Sequence, residues 1–428
     1  MKRYKILIFP AGTEIAFEIQ NALKFSKFVE LYGANSIPSH EEFVFERCIE
    51  GVPFVNAPDF IPAMNAIIDQ HGIDYIYPAH DSACLTLTKE ADKIHAKIVT
   101  SPLETVEICR SKNKTYEFFS GRNYIPRFYH SVEEVENYPV FIKPAVGQGS
   151  EGAKKIACRE ELIRETQSGT EYAICEYLPG YEYTVDCFTD KNKVLRVCHQ
   201  RQRERIRTGI AVRSRLISTE PEIWNIAKDI NSKLEFNGAW FFQVKKNLKG
   251  EYRLLEISPR IPGTMGTSRN LGINYPLLTL YNMWGYDVDI IDNGNEIVLD
   301  RAFISRYKTN LKYKKVYMDF DDTIYLGDKI NIPLVSFLYQ CFNKKLPVIL
   351  LTKHKRDIHQ SLTDFCLSEK LFSDIIHIPQ DEDKSKYIEQ EEAIFIDDSF
   401  SERLNIHKKT GIPVFDLDMI ESLIDWRM

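Results

Sequence analysis

The chain has 428 residues, of which 44% are hydrophobic and 27% charged, with a formal net charge of −6. At about 150 residues per domain this length accommodates roughly three folding units with real cores. The lack of a basic excess or polybasic run argues against a nucleic-acid or membrane-surface partner, and no apolar run approaches the roughly 18 residues of a membrane span.

In chain order, Tyr4–Phe9 predicts a buried first strand rather than a secretory leader, because its apolar run is too short for one. Pro10-Ala11-Gly12-Thr13 reads as a turn and Glu14–Lys27 as a helix. Val29–Tyr32 and Asp74–Tyr77 predict further strands, the latter running into Pro78-Ala79-His80-Asp81. There Asp81 suits either a substrate contact or a helix N-cap. Strands alternating with helices make residues 1–108 an α/β unit with a mostly parallel sheet and a crevice at its strand ends.

The texture changes near residue 109. Val140–Ile142, Tyr172–Glu176, Tyr183–Phe188, Trp240–Val244 and Tyr252–Ile257 read as strands, several with antiparallel alternation. Trp240, Phe241 and Phe242 are expected to pack a core. Arg306–Lys315 reads as a linker, and a new α/β pattern starts at Val316. The nine cysteines are scattered without a Cys-x-x-Cys pair, which suits reduced thiols in a cytoplasmic protein.

Four segments carry chemistry. Lys143 ends a strand run and is followed by Gly147, Gly149, Ser150 and Gly152. Glycines let backbone N–H groups approach phosphate oxygens, and the lysine supplies charge; a plain glycine-rich hairpin fits the same residues. Glu176, Leu178 and Glu182 flank a turn between two strands and suit a nucleotide, or a solvated hairpin. Arg201, Arg203, Arg205 and Arg207 alternate, which points four cations to one face. Glu256, Ser258 and Arg260 alternate likewise beside Gln243, an oxygen-rich set suited to Mg²⁺, or to a cross-strand salt bridge.

In this order the segments resemble the ATP-grasp superfamily over roughly residues 1–300, above all its carboxylate–amine ligases and carbamoyl-phosphate synthase. The match includes Lys112 in Arg110-Ser111-Lys112-Asn113-Lys114 and the tail Gly263-Thr264-Met265-Gly266. The resemblance implies an ATP-grasp fold at 109–308 behind the 1–108 unit. It places Lys112 and Lys143 on the ATP phosphates, Glu176 and Leu178 around adenine, and Glu182 on ribose. Gln243, Glu256 and Ser258 would hold Mg²⁺ (Mn²⁺ as a substitute), Arg260 the transferring phosphoryl group, and Arg207 phosphate or a substrate carboxylate. The family usually has Asn where Ser258 stands, and a serine oxygen reaches less far. The implied partners are a small carboxylate and an amine, with a homodimer as one assembly. A kinase on the same scaffold, or a nucleotide sensor, remains open beside the ligase.

At the C-terminal end, Asp319-Phe320-Asp321-Asp322-Thr323 closes a strand, and two acids sharing a face there need a cation or a proton. Thr352 ends a second strand, Lys384 and Lys386 follow, and Asp397-Asp398 ends a third. These residues resemble the haloacid dehalogenase-like phosphatases over about 312–428, a Rossmann-like fold. The resemblance implies Asp319 as nucleophile, Asp321 as general acid/base, and Thr352 and Lys384 on the phosphoryl group of a phosphorylated metabolite, with Lys386 as the competing choice for the lysine. Asp397 joins Asp319 and Asp321 around Mg²⁺. His354 and His359 are expected at the surface.

Overall fold

The unbroken apolar run Ile6-Leu7-Ile8-Phe9 becomes the central strand of a parallel sheet and is buried on both faces. The computed structural model describes residues 2–167 and 169–427. It divides into two units between Phe303 and Ile304. The first unit opens with β1 (Tyr4–Phe9), α1 (Glu14–Leu23), β2 (Val29–Ala34), β3 (Cys48–Ile49), α2 (Phe60–His71), β4 (Tyr75–Pro78), α3 (Asp81–Lys89) and β5 (Lys97–Ile98). Their sheet has the order β3-β2-β1-β4-β5 and is parallel.

Neighbouring strands β1 and β4 feed α1 and α3, so the two helix starts lie side by side at the crevice. Thr13 caps α1 by accepting from the Ala16 N–H at 3.0 Å, and its hydroxyl donates to the Ala79 carbonyl at 3.1 Å. α1 ends at Leu23, short of the expected Lys27, because the residues after Leu23 no longer face the core and Phe25 is exposed. His80, and not Asp81, caps α3: its Nδ1 accepts from the Ser82 N–H at 3.2 Å. Asp81 is left free to turn into the crevice.

The unit continues with α4 (Leu103–Arg110), α5 (Lys112–Phe118), β6 (Phe128–Tyr129), β7 (Val140–Pro144), β8 (Lys154–Ile156), α6 (Arg159–Thr166) and β9 (Tyr172–Glu176). Then come β10 (Glu182–Thr189), β11 (Leu195–Arg207), β12 (Ile210–Ile217), α7 (Pro221–Lys233), β13 (Gly238–Lys246), β14 (Tyr252–Ser258), α8 (Gly266–Arg269), α9 (Tyr275–Met283) and β15 (Val298–Asp300). Two antiparallel sheets result, β6-β9-β7-β8 and β14-β13-β10-β11-β12-β15. Trp240 is fully buried, stacks on Phe236 at 4.0 Å and donates its indole N–H to Thr189 at 2.9 Å.

The arginine row of β11 does not form one anion-seeking face. Arg201 is fully buried on Asp186, Arg203 pairs with Glu182, and Arg205 pairs at the surface with Asp300. Register shifts on both sides of Arg205 break the alternation.

The second unit contains β16 (Lys315–Met318), β17 (Tyr325–Leu326), β18 (Lys329–Ile330), α10 (Ile332–Asn343), β19 (Val348–Thr352), α11 (Ile358–Asp364), β20 (Asp374–His377), β21 (Ala393–Ile396), α12 (Phe400–Thr410) and β22 (Val414–Phe415). Its sheet has the order β20-β19-β16-β21-β22, again parallel. Val316, Met318, Leu350, Ile394 and Ile396 build its core. Residues 301–314 form no helix or strand. Among the described residues no helix is long and apolar enough to cross a membrane.

Candidate active-site cleft and an acidic cluster

In the first unit a cavity of about 510 Å³ opens where the parallel sheet and the two antiparallel sheets contribute side chains. Its lining includes Lys112, Lys143, Gly147, Gly149, Ser150, Glu176, Leu178, Glu182, Gln243, Glu256, Ser258 and Arg260. Gly152 and Arg207 lie outside the lining. Gly152 turns the glycine loop over Pro144 with φ +69°, and Arg207 is exposed at the end of β11. Arg207 precedes a hairpin turn whose Gly209 and Ile210 line the cavity while its own side chain is exposed outside it, which the spacing of the arginines could not reveal.

The two lysines are held as a pair of buried cations. Lys143 donates to the Leu255 carbonyl at 2.8 Å, and Lys112 donates to the Gly147 carbonyl at 3.2 Å. Burial lowers the pKa of both, with the Lys112 charge adding to the effect at Lys143 and Glu256 opposing it at Lys112. Cations stripped of water this way gain most from phosphate oxygens.

Strand register explains the acidic wall. Gln243 on β13 stands opposite Glu256 on β14. Arg203 reaches across from β11, donating to Gln243 Oε1 at 2.7 Å and to the Gly209 carbonyl at 2.7 Å while pairing with Glu182. A carboxylate and an amide oxygen on adjacent strands fit the oxygen-seeking chemistry of Mg²⁺.

Ser258 donates its hydroxyl to Asp81 at 3.0 Å, and Arg260 grips the same carboxylate through Nε and Nη2 at 2.8 and 2.6 Å. Burial alone would raise Asp81, but the Arg260 charge outweighs it and holds the carboxyl below the usual range. Asp81 thus fixes the guanidinium expected to meet the phosphoryl group. Its partner lies 179 positions away in sequence, so only the fold brings the two together.

The glycine loop lies against the β11–β12 hairpin. A Cβ added at Gly209, whose φ is +75°, would lie 2.1 Å from the carbonyl carbon and oxygen of Gly149. The Gln148 amide meets His80 Nε2 on the opposite side. The loop therefore bridges the cleft mouth from the hairpin to the start of α3.

In the second unit, Lys384 donates to Asp319 at 2.7 Å and to Asp397 at 2.6 Å, with all three side chains buried. Oxygens of Asp319, Asp397 and Asp398 lie within 4.8 Å of one another. Burial raises both Asp319 and Asp397 against the opposing Lys384 charge. The buried Thr352 hydroxyl has no hydrogen-bond partner among the described residues. Asp321 stands apart from this cluster: its half-exposed carboxylate meets His354 Nδ1 at 2.8 Å, and His354 Nε2 meets Ser361 at 2.8 Å. His354 is therefore mostly buried, contrary to expectation, because the turn after β19 folds back over the Asp319–Asp322 turn. His359 is exposed, as is Lys386, which pairs with Glu382 at 2.6 Å. Asp398 and His354 are the residues that sequence reasoning did not place.

Residues 169–314 match the family described as ATP-grasp in the biosynthetic pathway with Ter operon. Curated protein sequences give no match. The biotin carboxylase domain of Hydrogenobacter thermophilus 2-oxoglutarate carboxylase, solved with MgADP and bicarbonate, superposes with TM-score 0.58 at 16% identity, over 70% of this chain and 74% of that one. N5-carboxyaminoimidazole synthetase from Staphylococcus aureus, complexed with ADP, gives 0.57 at 14% identity, covering 68% and 79%. An L-amino acid ligase from Bacillus licheniformis gives 0.51 at 17% identity, covering 66% and 74%. Over about 70% of its length, the chain carries the ATP-grasp fold.

Proposed function

We propose that the first unit is an ATP-dependent ligase that joins a carboxylate to an amine through an acyl-phosphate. The observation that carries this reading is one cleft combining two buried lysines, an oxygen pair on β13 and β14, and an anchored arginine. A carboxylate is a poor electrophile, because its leaving group would be oxide. Transfer of the γ-phosphoryl group makes that oxygen a leaving group, and the amine then displaces phosphate. Lys112 and Lys143 hold the phosphates, Glu176 and Leu178 frame the adenine, and Glu182 meets the ribose. Arg260, fixed by Asp81, stabilises charge on the phosphoryl group in flight. Gln243, Glu256 and Ser258 are the residues that would hold Mg²⁺, which would supply screening of the phosphate charge. The glycine loop excludes water that would hydrolyse the intermediate.

For the second unit the proposal is a Mg²⁺-dependent phosphatase of the haloacid dehalogenase type. Asp319 attacks phosphorus and the leaving alkoxide takes a proton from Asp321; a water that gives its proton back to Asp321 then hydrolyses the aspartyl-phosphate, releasing phosphate and restoring Asp319. Thr352 and Lys384 bind the phosphoryl oxygens. The Thr352 hydroxyl, without a partner among the described residues, and the clustered carboxylates of Asp319, Asp397 and Asp398 support this assignment. A cytoplasmic location and a homodimer complete the reading.

The test is ADP and phosphate release from Mg-ATP against a panel of carboxylates and amines, with Glu256→Ala and Asp319→Asn run in parallel. Stimulation by one pair, lost in Glu256→Ala alone, supports the ligase. A stable phosphate ester instead of an amide would identify a kinase. Tight ATP binding without turnover would identify a sensor.

A further inference from the structure

The cleft wall also carries charges that phosphoryl transfer leaves unused. Glu14, the first residue of α1, and Arg301, just after β15, line the same cavity as the lysines. Neither side chain forms an ion pair or hydrogen bond among the described residues, although each lies near the other's charge. Glu18, one turn further along α1, is already taken by Arg269 at 2.8 Å. Burial lowers the pKa of Arg301, and Glu14 and Glu18 oppose that shift only through space.

Gly263 makes this arrangement possible. A Cβ there would lie 2.8 Å from Glu14 Cγ and 3.4 and 3.7 Å from the two terminal nitrogens of Arg301. An anion and a cation therefore converge on one space above a residue with no side chain, yet stay beyond the 4.0 Å of an ion pair. A partly buried guanidinium without a counter-ion is unfavourable on its own. Holding it open beside an equally open carboxylate makes sense when a ligand carries both complementary charges. A simple carboxylate would gain from Arg301 and be repelled by Glu14, and a simple amine would meet the reverse.

We infer that this subsite binds an α-amino acid, with its α-carboxylate on Arg301 and its ammonium on Glu14, as one of the two substrates of the ligase. The role of the bound amino acid rests on the ligase reading; its binding does not.

The experiment is calorimetric titration of the full chain with the protein amino acids and their mirror-image forms, in Mg²⁺ and a non-hydrolysable ATP analogue. One or a few amino acids bind. Their N-acetyl and carboxamide derivatives, each missing one charge, bind about 10- to 100-fold more weakly. Glu14→Gln and Arg301→Gln weaken the amino acid by a similar factor while melting temperature is kept. Glu14→Gln also narrows the gap between the amino acid and its N-acetyl form, a change that a purely structural role would not produce. The inference is overturned if no amino acid binds, if the blocked derivatives bind as tightly as the parent, or if both variants keep wild-type affinity. Amino-acid binding without any ADP release would keep this inference and sink the ligase reading. ADP release driven only by uncharged amines and simple carboxylates would do the opposite.

Discussion

Asp186 and Arg201 form the deepest ionic contact of the first unit, and its removal has a calculable consequence. Both side chains are 0% exposed. Arg201 donates from Nε and Nη2 to the Asp186 carboxylate at 2.6 and 2.7 Å, and from Nη1 to Thr264 at 2.6 Å. Asp186→Asn leaves the guanidinium buried without its anion, a loss of about 3–5 kcal/mol. For a unit of 303 residues, unfolding entropy is roughly 0.6 kcal/mol per kelvin, so the melting temperature falls by about 5–8 °C. Replacing both partners, Asp186→Leu with Arg201→Met, recovers much of that fall, since the charge and its counter-charge leave together. The surface pair Arg205–Asp300, 49% and 41% exposed, is the control: Arg205→Gln costs about 1 kcal/mol or less. Differential scanning calorimetry reads all three. An Asp186→Asn transition within about 1 °C of wild type would refute the reasoning, because an uncompensated buried cation cannot cost so little.

Gly209→Ala places a Cβ 2.1 Å from the Gly149 carbonyl, so the glycine loop must open; the expected result is slower turnover and faster nucleotide release at nearly unchanged melting temperature, measured by stopped-flow. Asp81 has a folded-state pKa held below its ordinary value by Arg260, against the effect of burial. Its stabilising contribution is therefore complete above the ordinary carboxylate pKa near 4 and is lost as pH falls below it. Asp81→Asn should flatten that acid limb in pH-dependent melting curves. Asp319→Asn should abolish hydrolysis of a generic phosphate ester while leaving ADP release by the first unit intact, and a persisting esterase rate would remove Asp319 from the nucleophile role.

The two parallel sheets were readable because fully buried strands announce themselves as unbroken apolar runs, Ile6–Phe9 and Ala393–Ile396 among them. That Lys143, the glycine loop, Gln243 and Glu256 line one cleft was readable because glycines, a lysine and alternating oxygen donors constrain one another along adjacent strands. What escaped the sequence has a common cause: it depends on pairs far apart in the chain. Asp81 gives no local sign that it anchors Arg260 across 179 positions. His354 looked like a surface residue because its polar neighbours hide its contact with Asp321. Alternation placed the arginines of β11 on one face, but a bulge and three carboxylates partition them among core, cleft and surface. Glu14 and Arg301 carry no motif, and their convergence depends on a missing Cβ at Gly263.

The central claim is that the carboxylate oxygen, and not water, receives the γ-phosphoryl group. Once a stimulating substrate pair is in hand, its carboxylate can be labelled with heavy oxygen and the released phosphate analysed by mass spectrometry. Passage through an acyl-phosphate puts one labelled oxygen into each phosphate, with loss of the signal in Glu256→Ala. Unlabelled phosphate from the wild-type enzyme would mean that water attacks ATP directly, and the ligase account would be wrong.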